Sequence, residues 1–575
     1  MPKIDFLNES RCIDVEEGSL LLDAIRSAGL DIETPCNGSG TCGKCKVIAT
    51  GELSDPNDSE KKIIDLDKDE RLSCMALVYG DVEVEVIKTD KNLKTINRGK
   101  SIELPVDSSV KVVKLPNIDR TNKSPYMDTL NYDVNSLKLY NEISKIDFNV
   151  VDDIWGIVFE DELLNIYKDK KRILGVSIDI GTTGISYYLV DLESGDIIDK
   201  FSSLNPQTKY GSDVLTRITF CMENSNGAEL LQELIVEEIN LSIKTLSSRC
   251  NLALDDIYHI TVAANTTMMH LLLGISPKSL AKSPYRPIFL DTKYTKAINL
   301  GIKANDEAIL SIVPAASAYI GGDILAGIIA LDLPKYDGAV FIDIGTNGEL
   351  AALKDGKIIC TSTAAGPALE GMNIECGCRA EKGAIESFSI DEDYNMIYET
   401  IGGNKAKGIC GSGLIDIAAS LVNRNILTKT GRWNKNLDGR ISDRLRDKKF
   451  YITDDVYISQ KDIRQIQLAK GAISTGVVMM LKEIDLKLED VSKVFIAGAF
   501  GFHINPDSIR SIGLIPKEVK TDIEFLGNTS LEGARLALIN RECLKGLHNL
   551  NGDIEVLELS LKPEFQEEFI GQLNF

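Results

Sequence analysis

The sequence predicts a multidomain protein: a small β-rich unit at the N-terminus, a polar linker, a small intermediate domain, and a large region of two similar α/β lobes. Three observations predict it. The chain has 575 residues, more than one hydrophobic core usually serves. The loop "PCNGSGTCGKC" (Pro35 to Cys45) packs three cysteines and three glycines together. Finally, "IDIGTTG" at 178–184 and "IDIGTNG" at 342–348 repeat one strand-to-turn unit.

Charge narrows the partners. With 86 acidic against 64 basic residues and a net charge of −22, the surface repels phosphate backbones and anionic lipid headgroups, so neither nucleic acid nor membrane is expected. No apolar run reaches bilayer length and the N-terminus has no secretory pattern, which predicts a cytoplasmic protein. In a reducing compartment the twelve cysteines are poor disulfide candidates, and their clustering near the N-terminus points to metal.

Residues 1–90 form the first unit. "SLLLDAIRSAGL" (Ser19 to Leu30) reads as a helix with a serine N-cap, "CKVIATGEL" as a strand, and "DVEVEVIK" (Asp81 to Lys88) as a strand with one buried face. Cys36, Cys42 and Cys45 stand in C-x5-C-x2-C spacing, with Cys74 far downstream. Four thiolates suit a two-iron cluster, and Gly38, Gly40 and Gly43 let the loop curl around it. A structural zinc site is the alternative, but zinc ribbons usually present paired C-x2-C knuckles. These residues resemble the 2Fe-2S ferredoxin family, which implies an α+β β-grasp fold. The first gap of five residues departs from the four of plant-type ferredoxins. The other cysteines show no second ligand spacing, and "ECGCRA" reads as structural.

Residues 91–125 are polar with dispersed prolines, as in a linker or an extended crossing segment. In the intermediate domain, 126–172, "NSLKLYNEISKI" and "EDELLNIYKD" read as helices. From Ile173 to the last residue, apolar strands enter Gly/Thr turns between long amphipathic segments. The recurrence of the turn suggests two lobes facing one another across a cleft.

A strand ending in Asp-Ile-Gly-Thr can grip phosphate with its turn and hold magnesium with its carboxylate, usually through water. In this reading Asp179 and Asp343 position Mg2+, while Gly181, Thr182, Thr183, Gly345, Thr346, Asn347 and Gly348 cradle the phosphates. "VPAASAYIGGD", "STAAGPALEGMNI" and "VFIAGAFGFHINP" follow in order. Together these segments resemble the actin, heat-shock chaperone and sugar kinase superfamily. That resemblance implies a duplicated ribonuclease-H-like, actin-like ATPase domain over 173–575. It also places Gly498, Phe500 and Gly501 near the adenosine, and Gly366, Glu370 and Gly371 in a loop beside the phosphates. Val313 stands where chaperone-like members carry an acidic or amide residue that orients water. Asp323 is the substitute candidate, with helix capping after Gly321-Gly322 as its alternative role.

"NPQTKYGSDVLTRI", "ANTTMMHLLLG", "AAGPALEGMNIECG", "GICGSGLIDI" and "NTSLEGARLAL" resemble reductive activators of corrinoid enzymes. The resemblance implies ATP-dependent transfer of one electron from a 2Fe-2S cluster to a Co(II) corrinoid protein of a methyl-transfer system, restoring Co(I). It implies the cofactors ATP, Mg2+ and a 2Fe-2S cluster, a low-potential electron donor, and a homodimer. Plant-type clusters sit at about −400 mV, and the cobalt couple lies lower, so unaided transfer is unfavourable. The rival readings are a donor to a radical dehydratase and a small-molecule kinase with a regulatory ferredoxin domain. Met268, Met269 and His270 read as core, not as ligands. Asn205, Gln207 and Asp213 sit where a substrate pocket could form, with Ser212 or Asp213 as a helix cap.

Overall fold

The computed structural model describes residues 2–575 except 9–10, 29, 31, 33–39, 41–42, 44, 59, 66–67, 87–98, 117–120, 122, 147–152 and 499–503. The N-terminal unit contains β1 (Lys3–Phe6), β2 (Arg11–Asp14), α1 (Leu21–Ser27), β3 (Lys46–Leu53), β4 (Glu70–Leu72) and β5 (Leu77–Val86). Its sheet order is β2-β1-β5-β3-β4, with β1 parallel to β5 and the other pairs antiparallel. Leu21, Leu22, Ala24 and Ile25 of α1 pack into the core with Val47, Val82 and Val84. This is the β-grasp arrangement. The helix starts later than expected: Ser19 and Leu20 pair with Val78 and Leu77, which draws Ser19 into the sheet, and Leu20 occupies the N-cap position without a side-chain cap.

An extended stretch follows and is strapped along the far end of the chain. Lys100 N–H donates to Leu526 O at 2.7 Å, Ile102 N–H to Ala330 O at 2.9 Å and Asp107 N–H to Ile539 O at 2.8 Å. Beyond it, β6 (Val110–Lys114), β7 (Trp155–Phe159) and β8 (Glu162–Tyr167) form an antiparallel three-stranded sheet covered by α2 (Leu137–Ser144). Two expectations change here. β6 arises within the stretch read as linker, because its pairing with β7 is non-local. "ELLNIY", read as helical, is strand β8: a reversal at Glu160, whose φ is 51°, folds it back onto "WGIVF". Cross-strand pairing and burial of Leu163, Leu164 and Ile166 outweigh the modest helix preference of Glu and Leu.

The first lobe contains β9 (Leu174–Ile180), β10 (Gly184–Asp191), β11 (Ile197–Leu204), α3 (Val214–Glu223), α4 (Gly227–Arg249), β12 (Ile257–Ala264), α5 (Thr266–Leu272), β13 (Lys293–Lys296), β14 (Ile309–Ile312) and α6 (Gly322–Leu331). The second contains β15 (Ala339–Ile344), β16 (Gly348–Lys354), β17 (Lys357–Thr363), α7 (Gly411–Asn423), α8 (Gln460–Glu483), β18 (Lys493–Gly498), β19 (Ile523–Gly527), α9 (Thr529–Ile539) and β20 (Ile554–Val556). The sheets run β11-β10-β9-β12-β14-β13 and β19-β18-β15-β16-β17-β20. Read from the first hairpin of each lobe, β9/β10/β11/β12/β14 and β15/β16/β17/β18/β19 have the same order. Register repeats too: Asp179 lies opposite Ala263 on its parallel neighbour, and Asp343 opposite Ala497.

Between the two sheets α6 and α9 share one core with Tyr188 and Ala263 of the first lobe and Phe341 and Phe495 of the second. The helices touch at a glycine. A Cβ on Gly533 would stand 2.1 Å from Ala326 O, so no larger residue fits without separating them. Gly533→Ala is therefore expected to cost about 1–3 kcal/mol by overpacking. Gly546→Ala, in a helical site where an added Cβ meets nothing within 4 Å, should stabilise by up to about 1 kcal/mol. Urea denaturation of both variants checks the pair; equal midpoints would refute the tight crossing.

Candidate functional site

In the N-terminal unit Cys45 and Cys74 are both buried, and their sulfurs lie 3.2 Å apart. Ser73 N–H donates to Cys45 O at 3.0 Å, which holds the two cysteine-bearing turns together. Gly40 and Gly43 both adopt positive φ, 70° and 69°, the conformation a tightly curled loop needs. Convergent buried thiols fit a thiolate-ligated cluster. Cys36 and Cys42, with Gly38, lie outside the described residues.

The first phosphate-type loop closes the β9–β10 hairpin, where Gly181 N–H donates to Gly184 O at 2.9 Å. Its three consecutive carbonyls are all engaged from behind. Asn205 Nδ2 donates to Gly181 O at 2.9 Å, the Arg217 guanidinium to Thr182 O, and Asn205 N–H to Thr183 O at 2.9 Å. Because a trans peptide points its N–H opposite to its C=O, the following amides turn to the other side, where Thr182, Thr183 and Gly184 line a cavity. The Thr183 hydroxyl is buried with no partner among the described residues, as a phosphate-facing group would be.

That cavity, about 240 Å³, is lined by both loops. Gly345, Thr346 and Asn347 contribute from the second, where Gly345 N–H donates to Asn347 O at 2.9 Å. Gly498 approaches this loop so closely that a Cβ would sit 2.2 Å from Ile344 O, and its φ is 109°. Five carboxylates face the cavity: Asp179, Asp323, Asp343, Glu349 and Glu370. Burial, then the Asp323, Asp179 and Glu370 charges, raises Asp343 to about 8. Burial raises Glu370 to about 7 against the opposing pull of its bond to Thr346. Burial and neighbouring carboxylates also raise Asp323 and Glu349. Asp179 is raised by burial, although Asn528 Nδ2 and Ser530 Oγ donate to it at 2.8 and 2.7 Å. Facing these acids are Arg379 and the N-terminus of α7, where Cys410 is the N-cap and makes no side-chain cap, leaving first-turn amides open to an anion.

Among the described residues no three His, Cys, Asp or Glu side chains are disposed to chelate a metal directly. The acid set instead suits a cation that retains most of its waters and arrives bound to phosphate.

The structure brings Asp179, Gly181, Thr182, Thr183, Asp323, Asp343, Gly345, Thr346, Asn347, Glu370 and Gly498 to one cavity. Gly348, Gly366 and Gly371 lie off its wall, and Phe500 and Gly501 fall outside the described residues. A Cβ on Gly348 would meet Thr363 and Ile473, so that glycine serves packing. Gly321, not Asp323, is the N-cap of α6, and the Asp323 carboxylate accepts from Ile324 N–H at 2.9 Å and from its own backbone N–H. Asn205 and Gln207 do not line this cavity; both are buried supports of the first loop. Asp213 caps α3 through a capping box with Thr216. His270 is satisfied within the core: Nδ1–H donates to Thr266 O and Nε2 accepts from Ile288 N–H, at 2.7 and 3.0 Å.

Residues not singled out from sequence also reach the cavity, including Asn265, Glu349, Arg379, Asn528 and Ser530. Glu349 carries a readable signal. Aligning the two hairpins sets Ser186 opposite Asp179 and Glu349 opposite Asp343, so an acid in one repeat replaces a serine in the other.

Comparison with known proteins follows this division. Residues 5–79 match the 2Fe-2S iron-sulfur cluster binding domain, 174–336 the RACo middle region, and 337–575 the C-terminal domain of RACo, the ASKHA domain. The chain is 30% identical over 597 residues to the corrinoid activation enzyme RamQ of Eubacterium limosum, covering 98% of this chain and 97% of that one. It is 25% identical to the Co(II) methylated amine-specific corrinoid protein reductase of Methanosarcina barkeri, over 70% of this chain and 77% of that protein. The solved structure of a reductive activator for corrinoid, iron-sulfur protein superposes with a TM-score of 0.75 at 30% identity, covering 100% of this chain and 98% of that one. The chain belongs to the RACo family of reductive activators, in which a 2Fe-2S ferredoxin domain is joined to an ATP-binding ASKHA domain.

Proposed function

We propose that this protein uses ATP to pass one electron from its ferredoxin domain to the Co(II) corrinoid of a partner protein, restoring the Co(I) state used in methyl transfer. The observation that carries the reading is the presence on one chain of a convergent thiol pair and a two-lobed acidic cleft, in a chain matched along 98% of its length by a corrinoid activation enzyme. Cys36, Cys42, Cys45 and Cys74 would hold the two-iron cluster, which would supply a single electron when loaded, with a low-potential donor in the cytoplasm as its source.

Asp179 and Asp343 would hold, through water, the Mg2+ that arrives with the nucleotide, with Asp323 lining the same cavity. The loop amides of residues 182–184 and the turn 345–347 hold the phosphates. Glu349 orients the attacking water and accepts its proton as the oxygen bonds to the γ-phosphorus and the bond to the β-phosphate oxygen breaks. Nucleotide binding and hydrolysis alternate the cleft between open and closed, and the closed form presents the corrinoid for reduction.

Anaerobic absorbance spectroscopy tests this. Cluster-loaded protein, a Co(II) corrinoid methyl-transfer protein, a low-potential reductant and ATP should generate the Co(I) band, and omission of ATP should abolish it. Cys45→Ser should lose the band while retaining ATP turnover. A Co(I) band of equal size without ATP, or none despite an intact cluster and ATP turnover, would overturn the proposal for the partner used.

Glu349→Gln should lower kcat for ATP hydrolysis by about 10²–10⁴ with little change in KM. Equal kcat would remove Glu349 from the reaction.

The raised carboxyls set a pH dependence. In the unfolded chain an Asp ionises near 3.8, whereas folded Asp343 holds its proton to about 8. The nucleotide-free fold therefore binds more protons over that window, and its stability falls as pH rises through it. A divalent cation favours the ionised carboxyls, so magnesium-nucleotide binding should release protons and tighten from pH 7 to 8. Calorimetry in buffers of different ionisation enthalpy reads this directly; proton uptake would contradict it.

A further inference from the structure

The same turn that braces the first phosphate loop also contacts the ferredoxin domain. Asn205 sits at the start of the short 3-10 turn Pro206–Lys209 and caps it, accepting from Gln207 N–H at 3.0 Å. As described above, its side chain and its own N–H engage the Gly181 and Thr183 carbonyls. At the other end of the turn, Arg26 in the last turn of α1 donates to Lys209 O at 2.8 Å, and its guanidinium lies 5.1 Å from the Tyr210 ring centre. The Tyr210 ring in turn packs on Phe220 of α3 at 4.7 Å.

The turn is held as a stiff piece. Gln207 Nε2 donates to Leu231 O at 2.9 Å, and its Oε1 accepts from Arg217 at 3.1 Å. Arg217, fully buried on α3, also donates to Gly211 O at 3.0 Å and to Thr182 O. Asn205, Gln207 and Arg217 are each at most 1% exposed. The hydrogen-bond acceptors of this guanidinium are neutral, and the Asp213 carboxylate at the N-cap of α3 acts on its charge from nearby; an anion bound at the loop would bear on Arg217 through the Thr182 peptide. Lys209, whose carbonyl meets Arg26, therefore lies only four positions along the chain from Asn205, which shapes the nucleotide loop.

We propose that the turn Asn205–Tyr210, braced by Arg217, couples nucleotide binding at the first phosphate loop to the seating of the ferredoxin domain through Arg26. This rests on the nucleotide reading of the cleft and adds to it a route by which the nucleotide state reaches the ferredoxin unit. Arg26 is a positioning residue in this scheme and touches neither nucleotide nor cluster.

Hydrogen–deuterium exchange on the full-length, cluster-loaded protein tests it, with and without Mg2+ and a non-hydrolysable ATP analogue. The analogue should change exchange by at least about fivefold in the peptide covering 205–210 and in the one covering Leu21–Ser27. In Arg26→Ala the response at 21–27 should vanish while that at 205–210 persists, and Arg26→Lys should restore part of it. Because coupling is reciprocal, Arg26→Ala should also shift the calorimetric affinity for the analogue by the same factor. The visible spectrum of the cluster verifies that the ferredoxin domain of each variant is folded. A response at 205–210 without one at 21–27 in the unaltered protein would overturn the coupling while sparing the nucleotide site. So would a response at 21–27 that survives Arg26→Ala. No calorimetric binding of the analogue would overturn the nucleotide reading itself, and the coupling with it.

Discussion

The cleft is organised by a conflict of like charges. Asp179 and Asp323 from one lobe and Asp343, Glu349 and Glu370 from the other share a single cavity in which Arg379 is the basic side chain among the described residues. In low dielectric, carboxylates so placed cannot all ionise, and they retain protons until a cation enters. A triphosphate alone would add negative charge to this setting. A divalent cation accompanying the triphosphate would offset it, which is the setting the proposed magnesium-nucleotide ligand fits.

Rigid elements convert that local condition into a property of the whole molecule. Asn528 and Ser530, at the start of α9, grip Asp179, while α9 packs against α6 through Gly533 with no room for a side chain. The strap at 99–107 is bonded along the same region, at Leu526, Ala330 and Ile539. Ser101 and Tyr188 both donate to Glu532. Asp179 of the first lobe is thus joined through α9 to α6 and to the chain segment 99–107 by hydrogen bonds and packing. Transfer to a couple below the cluster potential requires such a link, since ATP can alter the energetics only through a state it selects.

Much of this was legible in the chain itself. Strand, glycine turn and carboxylate recur together at Asp179 and Asp343, and spacing alone singled out Cys45 and Cys74. Where the reading failed, the deciding contacts were non-local. "ELLNIY" has a helix-compatible composition, yet β7 lies beside it and pairs with it. Ser19 has the chemistry of an N-cap, yet the backbone of Val78 claims it first. Asn205 and Gln207 look like pocket residues because they are polar, whereas their side chains turn inward to loop carbonyls, to Leu231 O and to Arg217.

The sequence by itself determined the local chemistry: the thiols, the phosphate turns, the carboxylates that end their strands, and the duplication that predicts two lobes. These follow from short-range rules, since turn geometry, alternation and ligand spacing involve neighbours along the chain. Only the tertiary structure decided that Glu349 joins the acids of the opposite lobe, that Ser530 holds Asp179, and that Arg26 meets the turn bracing the nucleotide loop. Each of these contacts joins segments far apart in sequence, and its existence depends on how whole sheets and helices pack, which no local pattern encodes.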